Sequence, residues 1–444
     1  MDVLPFSSGT SSNDDISFES LGVVQVLCEA CQRLKWSKPT PIQKETIPVA
    51  LLGKDIIGLA ETGSGKTGAF AIPILQDLLQ KQSRLFALIL TPTRELAFQI
   101  NETFEALGAG MKLKCAVIIG GVNMMEQSIM LAKKPHIIIA TPGRLLDQLE
   151  GDTGFNLNSL QYLVLDEADR ILNLDFEAEV NKILKMIPKK RKTYLFSATM
   201  TEKVSKLQRA SLKNPVKVEV SNKYQTSSSL TQHYLFIPYR YKLENLVYLL
   251  NELSGNSVII FIENCAKTQV IWLTLRNLGF TAFQLHGKMA QNKRLESLSK
   301  FKENDRSILV CTDVASRGLD IAHVDVVVVY NMPTRTKDYI HRVGRTARAG
   351  RSGKAYIFVT QYDVEDYLKI EKLLGYQIPK HTIPQDDVLC LQERCAEATR
   401  AAKYQLAEAE KKGTKQKRIK DSNKGENDDT EEASGVRKKF KRKK

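Results

Sequence analysis

The sequence predicts an α/β fold made of two consecutive parallel-sheet units. Two patterns carry that expectation. Short apolar runs alternate with longer helical segments through two stretches of the chain, and a polar segment, Ser221–Leu230 (SNKYQTSSSL), separates them. The runs are nearly continuous in apolar residues and end in polar or Gly/Pro-containing loops. That is how strands buried on both faces of a parallel sheet read. A length of 444 residues fits the same division, since one domain holds about 100–200 residues.

Along the chain, residues 1–17 are polar, rich in Ser and Asp, and expected to be disordered. In the first unit, 18–220, the strand candidates are Ile56–Leu59, Phe86–Leu90, Ala116–Ile119, Ile137–Ala140, Leu163–Leu165 and Tyr194–Phe196. Residues 221–230 form the linker. The second unit, 231–376, repeats the alternation with Tyr234–Ile237, Val258–Ile262, Ala282–Leu285, Ile308–Cys311, Val326–Tyr330 and Tyr356–Val359. Helical segments between most of these strands supply the crossovers a parallel sheet needs. After Gly375 the strand signal stops. Residues 377–402 read as a helical extension, and Val388–Glu410 is expected to form one helix, with Leu389, Leu391, Ala396, Ala398 and Ala402 among its apolar positions. Residues 403–444 hold 15 Lys/Arg against 8 Asp/Glu and almost no large apolar side chain, a composition that does not fold alone.

Charge and cysteine content narrow the function classes. The net charge of +15 favours a polyanionic partner without selecting nucleic acid over acidic protein or membrane surface. The tail beyond residue 402 carries +7 of it, leaving +8 on residues 1–402. No run of 18 uncharged apolar residues occurs, so no membrane span is expected. Residues 1–17 lack the basic end and apolar core of a signal peptide, and a soluble intracellular protein is expected. Seven cysteines make no disulfide framework, and Cys28 and Cys31 form a lone CxxC without a second pair, so they are expected to pack or face solvent and not to hold a metal.

The strongest local signal is Ala60-Glu61-Thr62-Gly63-Ser64-Gly65-Lys66-Thr67, between an apolar run and a helical stretch. Gly63 and Gly65 let backbone N–H groups curl around phosphate oxygens, and the following helix presents its positive end. Lys66 can reach β and γ phosphates, and the Thr67 hydroxyl can sit on Mg²⁺. Ala60 stands where the generic pattern has its first Gly. An acid at the end of a buried strand is the usual complement, and Leu163-Val164-Leu165-Asp166-Glu167 provides it. Asp166 would hold Mg²⁺ through water, and Glu167 would orient or deprotonate the attacking water.

At this point the chain resembles the DEAD-box ATP-dependent RNA helicases. Asp166-Glu167-Ala168-Asp169 matches that family's name-giving block, and the others follow in the family's order over about Phe18 to Thr360. They are Pro39-Thr40-Pro41-Ile42-Gln43, the phosphate loop, Pro92-Thr93-Arg94-Glu95-Leu96, Gly120-Gly121, Thr141-Pro142-Gly143-Arg144 and Ser197-Ala198-Thr199. Further on come Asp313 with Ser316-Arg317-Gly318-Leu319-Asp320, and His341-Arg342-Val343-Gly344-Arg345-Thr346-Ala347-Arg348.

The resemblance implies two tandem RecA-like domains closing on ATP and Mg²⁺. It implies that Gln43 reads adenine, that Trp36 stacks on the base, and that Phe18 and the loop residues Glu61, Thr62 and Ser64 belong to the same nucleotide site. This chain has Lys35 where the family has Gly before that aromatic. From the second domain, Gly318 and Asp320 would contact the nucleotide, and Arg345 and Arg348 would serve as arginine fingers. Ser197 and Thr199 would couple hydrolysis to strand separation. RNA would run over Arg94, Gly121, Thr141, Gly143 and Arg144, then Arg294, Thr312 and Asp313, through contacts to phosphate and sugar that carry little base information.

The implied activity is local separation of short RNA duplexes, with an ATP-gated RNA clamp as the alternative. Leu389–Ala402 resembles the branch serving small-subunit ribosomal RNA processing. With the basic clusters at Lys411–Arg418 and Arg437–Lys444, that implies a nuclear, nucleolar protein. It is expected to be a monomer working with RNA and ribosome-assembly proteins, without a membrane.

Overall fold

The computed structural model describes residues 16–60, 63–151, 154–173, 176–220, 229–303, 307–313, 324–333, 335–347, 352–409 and 411. Two all-parallel sheets organise them. The first has the strands β1 (Ile56–Leu59), β2 (Ala87–Leu90), β3 (Cys115–Ile118), β4 (Ile137–Ala140), β5 (Tyr162–Leu165), β6 (Lys192–Ser197) and β7 (Val216–Glu219). Their order is β3-β4-β2-β5-β6-β1-β7. The second comprises β8 (Leu230–Phe236), β9 (Val258–Phe261), β10 (Ala282–Leu285), β11 (Ile308–Cys311), β12 (Val326–Val329) and β13 (Gly353–Val359), in the order β10-β11-β9-β12-β13-β8.

The central strands are the apolar runs of the sequence, and the reason is burial on both faces. All four residues of β1, β2, β4 and β5 are buried, as are those of β9, β11 and β12. Alternate residues feed separate cores: Ile137 and Ile139 one side of the first sheet, Ile138 and Ala140 the other. Each fully buried aliphatic side chain there is worth about 1.5–3 kcal/mol. Acids pin the strand starts. Asp55 accepts from Thr193 N at 2.8 Å and from Lys213 N at 2.7 Å, and Asp325 accepts from Ser257 N at 2.8 Å.

Three expectations are corrected at the periphery. β7 was not anticipated, because an edge strand with one buried side chain, Val218, does not produce a continuous apolar run. Leu230, counted with the linker, opens β8, an edge strand paired with Gly353 of β13. The expected helix Val388–Glu410 is two: Gln385–Cys390, then a turn at Leu391 and a helix over 392–409. Leu389 is exposed, whereas Cys395, Ala398 and Ala402 are buried. The second helix packs back on its domain, with Asn277 Nδ2 donating to Ala398 O at 3.4 Å. Residues 1–15 and 412–444 lie outside the described residues.

Candidate nucleotide and RNA site

Strand register assembles the site. Leu59 of β1 lies opposite Ser197 of β6, and Leu165 of β5 opposite Leu195. The carboxyl ends of β1, β6 and β5 therefore sit side by side, where open α/β sheets bind ligands. Gly58 is what allows the tight fit behind them: a Cβ there would run into the Phe196 ring, which packs 5.5 Å from Phe70 on the helix Lys66–Lys81. That helix is thereby seated on the sheet with its first turn aimed at the loop.

The loop has the geometry its glycines predict. Gly63 and Gly65 have φ of 87° and 94°, the left-handed region, and Gly65 is the N-cap residue of the helix. Lys66 is buried, and its Nζ donates to the Ala60 carbonyl at 2.9 Å, so the ammonium lies folded across the loop. Ser64 and Thr67 are half-buried. Glu61 and Thr62 lie outside the described residues.

The adenine candidates converge on the same loop. Gln43 Oε1 accepts from Thr40 N at 2.9 Å, and Gln43 Nε2 donates to the Gly65 carbonyl at 3.0 Å. An amide has two donor and two acceptor positions, so one of each remains for a ligand. Trp36 stands beside it, and Gly68 is the spacer: a Cβ there would come 2.9 Å from Trp36 Cζ3 and 2.6 Å from Gln43 Nε2. Lys35 has φ 59°, which explains why glycine suits this position. Phe18 was expected at the nucleotide site. It is 5 % exposed in the core of the first domain and does not line the cavity.

The acids follow β5 directly. Asp166 is 3 % exposed, and its carboxyl is pushed up to about 6. Burial is the main cause; the Lys66 charge opposes it, the Glu167 charge adds to it, and the Glu167 N–H, donating to Oδ1 at 3.0 Å, opposes it. Glu167 has φ 49° and lies 3.8 Å from Arg170 Nη1. Thr199 Oγ1 donates to Asp169 Oδ2 at 3.1 Å, and Ser197 Oγ donates to the Thr199 carbonyl at 2.8 Å. The SAT and DEAD blocks are thus directly bonded.

A cavity of about 750 Å³ joins Trp36, Gln43, Lys66, Thr67, Asp166 and Glu167, and Lys302 of the second domain also lines it. The two domains meet through a contact that sequence reasoning missed. Glu95, 1 % exposed, accepts from Arg294 Nη2 at 2.8 Å and from Gln291 Nε2 at 2.9 Å. The only available signal was the spacing of Gln291 and Arg294, three apart on one helix. Arg294, expected on RNA, is committed to this pair and is 8 % exposed.

Arg342, assigned no role, forks onto Asp313 with Nε–Oδ1 2.7 Å and Nη2–Oδ2 2.8 Å, and donates to Asn331 O at 2.6 Å. Asp313, also expected on RNA, is therefore held by its own domain, next to the buried Thr312. Arg345 is 1 % exposed, with Nε donating to His341 O at 3.3 Å, and is not among the residues lining the cavity. Gly318, Asp320 and Arg348 lie outside the described residues.

The first-domain RNA candidates do gather. The Arg94 guanidinium lies against Gly120 and Gly121. Gly121 has φ 80°, and a Cβ there would collide with that guanidinium. Arg144 Nη1 donates to Val122 O at 2.8 Å. Thr141 is the N-cap residue of the helix Pro142–Glu150, whose first turn holds Gly143 and Arg144.

Comparison with known proteins agrees. The DEAD/DEAH box helicase family model matches residues 40–207, and the helicase conserved C-terminal domain matches 241–350. The human "Probable ATP-dependent RNA helicase DDX47" is 65 % identical over 423 residues, covering 95 % of this chain and 92 % of that protein. The "ATP-dependent rRNA helicase rrp3" of Neosartorya fischeri is 57 % identical over 405 residues, 91 % of this chain and 86 % of the other. Among solved structures, Mss116p bound to single-stranded RNA and AMP-PNP is similar with a TM-score of 0.79 at 30 % identity, covering 88 % of this chain and 84 % of that one. S. cerevisiae Dbp5 bound to RNA and ADP BeF3 gives 0.76 at 28 %, covering 86 % and 99 %. This chain belongs to the DEAD/DEAH box helicase family.

Proposed function

We propose that the chain is an ATP-dependent RNA helicase that remodels short duplexes in ribosomal RNA, inside the nucleus and in its nucleolus. The observation that carries the reading is the convergence of the phosphate loop, the DEAD acids and the SAT hydroxyls at three adjacent strand ends, in a cleft that a residue of the second domain also lines. The names of the relatives supply the RNA class.

The residues support a division of labour. The Gln43 amide and Trp36 bind adenine, and Lys66 swings from the Ala60 carbonyl to the β and γ phosphates. Glu167 orients the attacking water and takes its proton, and Arg345 and Arg348 are assigned to the charge developing on the γ-phosphoryl group. A buried carboxyl held near 6 is a poor resting place for a bare charge, and Asp166 together with the Thr67 hydroxyl fits a divalent cation. The Thr67 hydroxyl and, through water, Asp166 would hold Mg²⁺, which when bound would supply positive charge against the phosphates. The Thr199–Asp169 and Ser197–Thr199 bonds link the acid cluster to the strand end beside it. RNA lies across Arg94, Gly121, Thr141, Gly143 and Arg144, held by backbone contacts that make binding sequence-nonspecific and salt-sensitive. The chain works as a monomer, with assembly proteins as partners.

The test is phosphate release with and without RNA, for wild type and Glu167→Gln. Stimulation by RNA and its loss in the variant are expected; equal rates would overturn the reading. Crosslinking to RNA in cells and sequencing the bound fragments tests the ribosomal assignment, which fails if ribosomal precursors are not enriched.

A further inference from the structure

The free edge of the second sheet carries a separate inference. β10 ends the strand order, so among the described residues one side of it has no neighbouring strand. The helix Cys265–Asn277 packs on one face of the sheet there through Ile271 and Leu275, and the helix Gln291–Glu303 on the other through Leu298 and Phe301. Between these walls lies a groove of about 680 Å³ floored by Ala282, Phe283 and Gln284.

Peptide direction along β10 follows from its partner. The carbonyls of Thr281 and Leu285 accept from Ile308 N at 2.9 Å and Thr312 N at 3.2 Å, so they point at β11. Alternation turns the peptide groups of Ala282 and Gln284 outward. The Ala282 carbonyl accepts from Trp272 Nε1 at 2.9 Å; the Gln284 N–H and C=O face the groove. Arg276, Lys293 and Lys300 stand exposed on the rim, and the Arg276 guanidinium lies 5.5 Å over the Trp272 ring. Glu296, the one acid among the lining residues, is bound to Lys300 at 2.6 Å. Half-buried Phe280 and Met289 add apolar surface.

Lysines beside an edge strand also guard against sheet-to-sheet aggregation. That role needs no groove and no aromatic wall. We propose that the groove receives an extended acidic segment of a partner protein, added as a further strand on β10. Main-chain bonds to Gln284 would hold it, its acids would meet Arg276 and Lys293, and alternate apolar side chains would rest on Phe280 and Met289.

The test uses the full chain and a fluorescein-labelled octapeptide alternating Glu and Val, read by fluorescence anisotropy. Saturable binding is expected, with slowed amide exchange across 282–285. Arg276→Glu with Lys293→Glu should weaken the peptide by about tenfold or more and favour an octapeptide alternating Lys and Val, while RNA-stimulated ATP hydrolysis is retained. Absence of saturable binding, binding indifferent to the reversals, or a labelled oligouridine that loses affinity in their place would each overturn the proposal, the last by making the groove an RNA surface.

Discussion

Asp166→Asn separates what the acid does for chemistry from what it costs the fold. A carboxyl raised from its usual 3.8 to about 6 is held more tightly by its proton in the native state than in the unfolded chain. The contribution of such a group is fully favourable below pH 4 and is lost as pH rises through 6. At about 1.4 kcal/mol per tenfold, the charged form costs the ligand-free protein about 3 kcal/mol above pH 6. Asparagine keeps an oxygen to accept from Glu167 N and removes the charge. The variant should therefore unfold at higher temperature than wild type at pH 7.5, by roughly 6–12 °C for a domain near 200 residues, while ATP hydrolysis is lost. Differential scanning fluorimetry from pH 4.5 to 7.5 measures this. The gap should close as pH falls toward 4.5. A variant no more stable at pH 7.5, or a gap independent of pH, would refute the argument.

Three further outcomes are expected. Gly143→Ala meets nothing nearer than Phe176 at 3.9 Å, so the fold should gain up to ~1 kcal/mol from helix propensity. RNA affinity by anisotropy should nonetheless fall severalfold; an unchanged affinity would take Gly143 off the RNA surface. Lys35→Gly relieves a left-handed backbone and should raise the urea midpoint by an amount equivalent to about 0.5–1 kcal/mol; a lower midpoint contradicts it. Glu95→Gln leaves Arg294 buried beside Arg94 with its charge uncompensated. That should cost the joined form about 3 kcal/mol, roughly a hundredfold in its population. Steady-state kinetics should show RNA stimulation falling with it, and full stimulation would exclude the contact from the cycle.

The elements most legible in the sequence were those that bury both faces. Ile137–Ala140 and Val326–Val329 are strands because nothing polar interrupts them, whereas β7 and Leu230 of β8 lie at sheet edges where water takes one side. The phosphate loop and the acids were readable because each is local, a few residues between a strand and a helix. Glu95 with Gln291 and Arg294 was not, since their meeting depends on how two domains close, Glu95 and Gln291 lying 196 residues apart in sequence. Arg342 and Arg345 look alike on paper; the structure shows Arg342 forked onto Asp313. Phe18, assigned to the nucleotide site, packs in the hydrophobic interior of the first domain.

The ionic character of the Glu95–Arg294 contact has a consequence for turnover. An apolar patch of the same size would resist separation, because parting it would expose oil-like surface to water. Two charges behave otherwise: what they lose in mutual attraction on parting they largely recover as hydration. The joint can thus be demanding about alignment while offering little resistance to reopening.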